Sequence, residues 1–451
     1  MAERTAVEGE GRVGLARVLG LVDVIGIVVG SVIGSGIFIV PATVALEVRS
    51  PLAILAVWSV GGVLTLFGAL CFSELGGMYP QAGGTYIYLR EAYGPLVAFL
   101  FGWTLFLVID SGAMATLSSA FATKYLPYFV TLSPLASRLV ILAFIGFLVT
   151  VNYLGVRHGA NLQNLLAAIK FVAIVAVVGL IFLFGHGDAH NFTAPATGPL
   201  TPDFVSRFGA ALIACLWAYK GWEAASYATG ELRNPQRNLF VGLLVGCLLV
   251  TGLYLATNLA YLYVLPADRI AASARIAADA LTAAVGPAGA SALSFLILLS
   301  ILGSANANIL TAPRVYYAMA KDGLFFSRAG EVHPRFRTPH LSILAMGAWT
   351  FVLAMSGTFE QLLGYVVFGL WIFFGLTVGA VLILRRTRPD LPRPVRVWGF
   401  PATPIVFLAA TTFIAVSALV TGPRNALGGV LIIALGVPVY LVWRARRNPP
   451  S

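Results

Sequence analysis

The chain has 451 residues, of which 59% are hydrophobic and only 10% charged, with a mean hydropathy of +0.89 and a formal net charge of +11. Soluble domains carry about a quarter charged residues, so this composition excludes an ordinary soluble protein and indicates a polytopic membrane protein. Cys71, Cys215 and Cys247 all fall in apolar segments, which points to neither a disulfide framework nor a clustered metal site.

Stretches long enough to span a bilayer, roughly 20 apolar residues each, run over 20–47, 51–79, 95–125, 139–155, 161–185, 204–230, 238–265, 288–320, 341–357, 361–384, 401–421 and 426–443. Twelve spans place both termini on one side, and the arginine and lysine count identifies it as the cytoplasm. With that assignment 20 of the 29 basic residues lie inside, including the 444–451 tail. Arg49, Lys124, Arg138, Arg207, Arg269, Arg275 and Arg424 lie outside, and Lys170 and Lys220 within the membrane. The basic balance thus reflects orientation, and nucleic-acid binding is not expected. Residues 1–19 lack an apolar signal region and are read as a cytoplasmic N-terminal segment.

The first span contains Gly30-Ser-Val-Ile-Gly-Ser-Gly-Ile-Phe38. Each interior glycine costs a helix roughly 1 kcal/mol relative to alanine. Gly26, Gly30 and Gly34 form a row on which another helix can pack closely. Alternatively the helix breaks here, and its second half starts near Ser35 with its N–H groups aimed at an anion. The sixth span has a second interruption at Leu216-Trp-Ala-Tyr-Lys-Gly-Trp-Glu223. Spans one and six correspond if spans 1–5 and 6–10 are repeats, which an odd number of spans makes inverted. Paired interruptions at matching positions favour a midplane transport site. Between spans, residues 186–203 read as an irregular external connection, and residues 267–282 as one short amphipathic helix over the external face.

Asp110, Lys170, Lys220 and Glu223 are ionisable groups deep within spans. Each costs roughly 2.5–3.5 kcal/mol at a helix centre on insertion scales, so each is a functional candidate. Lys220 and Glu223, three residues apart, can pair if helical. Asp110 faces the bundle interior with a partner the sequence does not name.

The first-span motif, Glu231-Leu-Arg-Asn-Pro-Gln-Arg-Asn238, Lys321-Asp-Gly-Leu and His333-Pro-Arg-Phe-Arg-Thr-Pro339 together resemble the amino acid, polyamine and organocation (APC) superfamily. Within it the chain is similar to L-type amino-acid transporters and prokaryotic amino-acid antiporters. The resemblance implies an all-α membrane protein of twelve transmembrane helices with a five-plus-five inverted repeat, helices 1 and 6 broken (a LeuT-like fold), and alternating access without covalent chemistry or cofactor. It divides the chain into a first repeat over 20–185, a second over 204–384, and helices 11 and 12 over 401–443.

By the same resemblance Lys170 stands where sodium-coupled relatives hold a Na+ ion between helices one and eight. Its implied partners are carbonyls near Gly30 and the polar residues Ser304 or Asn308. The N–H groups of Ser35, Gly36 and Ile37, with Gly34 in the break and the Ser31 and Ser35 hydroxyls beside it, would hold an amino acid's carboxylate. Carbonyls around Val29 and from Trp217 through Ala218 to Tyr219 would accept from its ammonium, and Trp217 is the implied aromatic gate. Glu223 stands where many relatives carry Asn, and Lys220 where they carry a small residue, which leaves the substrate's charge class open. The expected activity is sodium-independent transport, with exchange of neutral L-amino acids. Proton-coupled symport and cationic amino-acid or amine antiport are the alternatives, and an amino-acid-sensing receptor the non-transport one. An enzyme is not expected, since no His, Cys or carboxylate constellation stands near one face. The loop 124–138 has no cysteine, unlike the loop that links animal L-type transporters to a heavy subunit, so no disulfide-linked subunit is expected. The expected location is the plasma or inner cell membrane.

Overall fold

The structure, a computed structural model, describes residues 14–193, 202–286, 288–356, 359–421 and 423–447. Residues 1–13 of the expected N-terminal segment, 194–201 of the external connection and 448–451 of the tail lie outside them. The described chain is helical, with one isolated backbone bridge between Leu19 and Leu232 and no named strand.

The helices are α1 (Leu21–Val32), α2 (Gly36–Val48), α3 (Pro51–Met78), α4 (Thr85–Tyr93), α5 (Pro95–Tyr128), α6 (Pro134–Tyr153), α7 (Val156–Phe184), α8 (Pro202–Ala218) and α9 (Pro235–Val264). After them come α10 (Ala267–Ala272), α11 (Ile276–Val285), α12 (Ala288–Thr311), α13 (Pro313–Lys321), α14 (His340–Ser356), α15 (Phe359–Thr387), α16 (Ala402–Thr421) and α17 (Pro423–Arg447). Among the described residues nine helices are long and apolar enough to cross a membrane, or ten if α1 and α2, bent by 49°, form one span. The two remaining apolar windows fall short for local reasons. The window at 204–230 is cut at Ala218 and continues as a 3-10 stretch over Trp222–Glu231, and α14 has 17 residues.

A polar cap before a proline sets two helix starts, at the expected position for α3 and five residues ahead of the apolar window for α6. Ser50 caps α3 and Ser133 caps α6, each accepting an N–H two residues after the proline, from Ala53 and Ala136. The amphipathic stretch expected over 267–282 differs from expectation. It is two short helices, α10 and α11, because Ser273 and Arg275 leave the helical region between them, and its apolar face, including Ile270, Ile276 and Leu281, is buried. Within α5 a π-helical turn at Leu105–Ile109 precedes Asp110. Such turns reorient the residues that follow them.

Ion pairs collect at one end of the bundle. Arg314 of α13 bonds Glu231 at 2.7 and 3.1 Å, with both side chains fully buried. Arg90 of α4 bonds Asp322 at 2.9 and 2.7 Å, and Tyr86 donates to the same carboxylate at 2.8 Å. Burial works against the Arg90 charge, but the bonds and charges of Asp322 and Glu91 outweigh it and hold its pKa above the ordinary arginine value. Leu19 donates to the Glu231 carbonyl at 3.0 Å and accepts from Arg233 at 2.8 Å, which ties the start of α1 to the end of the 3-10 stretch.

Arg314→Met would strand the Glu231 carboxylate in the interior, a loss of about 3–5 kcal/mol. We expect a clear fall in the melting temperature of the purified protein, partly recovered by adding Glu231→Gln. An unchanged melting temperature in Arg314→Met would show that the pair carries no stability.

Candidate functional site

The glycine row in α1 is a packing surface against α7. A Cβ on Gly26 would lie 2.0 Å from Asn164 Oδ1, and one on Gly30 would lie 2.1 Å from Gln163 Nε2. Gly34 is different, since its nearest neighbour would be Ser304 Oγ at 3.5 Å and it belongs to the break. The packing and broken-helix readings therefore describe successive parts of the same motif. The helix stops at Val32, Ile33 turns to ψ 91°, and α2 restarts at Gly36.

A break at this depth frees carbonyls that need donors. Lys170 of α7, fully buried, donates to Gly30 O and Ile33 O at 2.8 Å each and to Ser304 Oγ at 3.1 Å. All three ammonium protons thus have acceptors, on α1, in the break and on α12. Ser300, a turn before Ser304, also donates to Ile33 O at 3.2 Å. Asn308 is half-buried and is not one of the Lys170 acceptors. Its place in the polar interior is taken by Asn306, which bonds Gln163 at 2.8 Å and Asn152 at 2.9 Å and donates to Gly159 O at 3.1 Å. The sequence signal for this cluster is three carboxamides, Asn152, Gln163 and Asn306, inside apolar spans.

The second break faces the first. After α8 ends, Gly221 takes a positive φ of 121°. A Cβ there would lie 2.9 Å from Ser31 Cβ. A Cβ on Gly36 would lie 2.9 Å from the Ala218 Cα and 3.7 Å from the ring of half-buried Trp217. The Tyr254 hydroxyl of α9, which sequence reasoning did not single out, donates to Val32 O at 2.9 Å, with Ala218 O an alternative acceptor at 3.3 Å. Tyr219 donates to Trp58 O at 3.1 Å, and the rings of Trp58, Tyr219 and Tyr254 pack at centroid distances of 5.1–5.8 Å.

The charges do not pair along the helix. Lys220 Nζ lies 3.7 Å from Asp110 Oδ1 across to α5, and Glu223 accepts the Gly221 N–H at 2.9 Å. The partner the sequence left unnamed for Asp110 is therefore Lys220, because the positive φ at Gly221 ends the helix that would have brought Lys220 over Glu223. Asp23, near the start of α1, accepts from Arg157 at 2.8 Å and from Asn164 at 2.7 Å.

Around the breaks the free groups are of two kinds. The N–H groups of Ser35, Gly36 and Ile37 make no backbone hydrogen bond, and the buried Ser31 hydroxyl has no partner among the described residues. Among the carbonyls, Val29 O accepts Ile33 N at 2.9 Å and Trp217 O accepts Lys220 N at 3.2 Å, each keeping one lone pair. Among the described residues no group of three or more His, Cys, Asp or Glu is placed to hold a metal ion.

Comparison with known proteins matches residues 19–443 to the amino acid permease family. The chain is 34% identical over 435 residues to the mouse (Mus musculus) b(0,+)-type amino acid transporter 1, covering 95% of this chain and 88% of the relative. It is 33% identical over 438 residues to the serine/threonine exchanger SteT of Bacillus subtilis, covering 96% and 98%. It is 30% identical over 443 residues to the human (Homo sapiens) cystine/glutamate transporter, covering 96% and 87%.

The contact between the breaks is testable through Gly221. Gly221→Ala imposes a positive-φ strain of about 1–3 kcal/mol and pushes a methyl group against Ser31. We expect solute flux through the purified protein in liposomes to fall about tenfold or more, with the protein still inserted. Flux equal to the parent's would show that the breaks have room to spare.

Proposed function

The chain belongs to the amino acid permease family, and on that premise we propose that it is a sodium-independent exchanger of neutral L-amino acids working by alternating access. Its family and relatives are transporters and not enzymes, and its apolar helices make it a multi-pass membrane protein.

One observation carries the sodium independence. The Lys170 ammonium is bonded to two carbonyls of the first break and to a hydroxyl of α12, the oxygen ligands a sodium ion would otherwise use. A covalently held cation cannot dissociate with the ion gradient. In this reading the substrate binds where the two breaks meet, in a conformation in which they stand further apart than the close contact at Gly221 and Gly36. Its carboxylate meets the N–H groups of Ser35, Gly36 and Ile37 at the start of α2, with the Ser31 hydroxyl as a further donor. Its ammonium meets the remaining lone pairs of the Val29, Trp217, Ala218 and Tyr219 carbonyls. This recognises the part common to all α-amino acids and leaves selectivity to the walls, where Trp217 stands as a gate.

The second reading, proton-coupled symport or antiport of a cationic amino acid or amine, draws on one feature. Asp110 and Glu223 set two carboxylates against the single lysine Lys220, which leaves one negative charge for a proton or a cationic side chain. A receptor without turnover is disfavoured by the transporting relatives. For the topology we propose twelve spans in two inverted sets of five plus α16 and α17, with both termini in the cytoplasm and the protein in the cell membrane. The three cysteines are buried and the loop 124–138 has none, so no disulfide-linked heavy subunit is expected.

The test is uptake of a labelled amino-acid panel into proteoliposomes, with unlabelled amino acid or buffer inside, in Na+-free medium at two external pH values. We expect uptake that requires internal amino acid and ignores Na+ and pH. Uptake that vanishes when Na+ is replaced by choline would remove the Lys170 argument, and uptake into empty vesicles that rises as external pH falls would select the proton-coupled reading. In the same assay Trp217→Ala should raise KM or cause leak, whereas unchanged kinetics would refute the gate.

A further inference from the structure

The segment joining α15 to α16 is a rigid basic strap. Residues 385–401 hold five arginines and one acid, Asp390, with prolines at 389, 392, 394 and 401. Two of the arginines turn inward. Glu74 of α3, itself buried, takes Arg385 at 2.9 and 2.6 Å and the Val397 N–H at 2.7 Å. Arg393 lies 3.6 Å from the same carboxylate and donates to the Leu384, Arg388, Pro389 and Leu391 carbonyls. The other three, Arg386, Arg388 and Arg396, are exposed.

The strap also shows large apolar groups outward. Trp398 is 58% exposed although its ring packs 5.8 Å from Phe240 of α9, and Phe400, over the Arg385 guanidinium at 3.8 Å, is 38% exposed. Exposed Arg237 sits one turn before Phe240, and Arg233 just ahead of α9. Immediately beyond the strap, Ile405 and Val406 of α16 face outward. Positive charge, an interfacial tryptophan and an apolar wall therefore follow one another along the helix end.

We propose that this strap is a binding site for the headgroup of an anionic phospholipid. The phosphate lies against Arg388 and Arg396, the Trp398 ring sits at headgroup level, and an acyl chain runs down the Ile405–Val406 face of α16. Orientation in the membrane requires only that basic residues be present on one side. Here the geometry goes further, since three hydrogen bonds to one buried carboxylate and four more from Arg393 fix where the exposed guanidinium groups stand. A fixed cluster of arginines beside a membrane helix attracts anionic lipid about fivefold per residue. The site lies apart from the breaks and does not depend on the transport reading.

The test titrates the purified full-length chain in detergent with phosphatidylglycerol or with phosphatidylcholine of the same acyl chains, counting bound lipids by native mass spectrometry. We expect the parent to prefer phosphatidylglycerol, Arg396→Gln to lose about fivefold of that preference, and Arg388→Gln/Arg396→Gln about 25-fold. Arg138→Gln, an exposed arginine at the start of α6, should keep it, and Trp398→Ala should weaken both lipids alike. Equal binding of the two lipids by the parent, or a full preference in the double variant, would overturn the proposal. Displacement of phosphatidylglycerol by inorganic phosphate would overturn it too, by making this a free-phosphate site. If the double variant proves unstable, Arg396→Gln and Trp398→Ala decide by the same readout.

Discussion

A backbone carbonyl freed inside a bilayer has no water to turn to, and this constraint organises the centre of the protein. Interrupting α1 at Ile33 releases acceptors, and the structure answers with an ammonium from α7, hydroxyls from α12 and a phenol from α9. Three separate helices are thereby drawn to one break. Removing the break would leave Lys170 without its two carbonyl partners, and removing Lys170 would leave the carbonyls unsatisfied. Neither feature is affordable alone, so the interrupted motif and the buried lysine imply one another.

The remaining intramembrane charges follow the same economy. Lys220 and Asp110 neutralise each other across two elements, and Glu223 is stabilised by the backbone amide of the very turn that separates it from Lys220. At the bundle end Arg314 and Glu231 do this without any exposure to solvent. A fully buried pair is weak evidence of net stabilisation, but it strongly penalises arrangements in which its partners part. It therefore fixes how the end of the 3-10 stretch sits on α13.

Much of this was legible in the sequence because the signals were local. Glycine spacing marks the first break and Lys-Gly-Trp-Glu the second, whereas the acceptors of Lys170 follow from the family resemblance, which implies carbonyls near Gly30 and either Ser304 or Asn308, of which Gly30 and Ser304 are found. Long-range pairing was not legible. Nothing in a sequence says that Asp110 meets Lys220, since that depends on a π-helical turn in α5 and on the backbone reversal at Gly221. Tyr254 was invisible for a different reason: a tyrosine in an apolar helix reads as packing until its hydroxyl is seen to have an acceptor. The division of residues 267–285 into two helices was obscured because Ala, Ile and Leu keep a helical period across a turn that Ser273 and Arg275 interrupt.

Tyr254 has one further consequence. Its hydroxyl carries a single proton, yet two carbonyls, one from each break, stand within reach of it. The proton serves one at a time, at present the nearer Val32. If the two interrupted helices slide against each other, the bond is handed from one to the other instead of being broken. The phenol thus ties the first break to the second through one proton, and a small relative movement of the two interrupted helices decides which of them it serves.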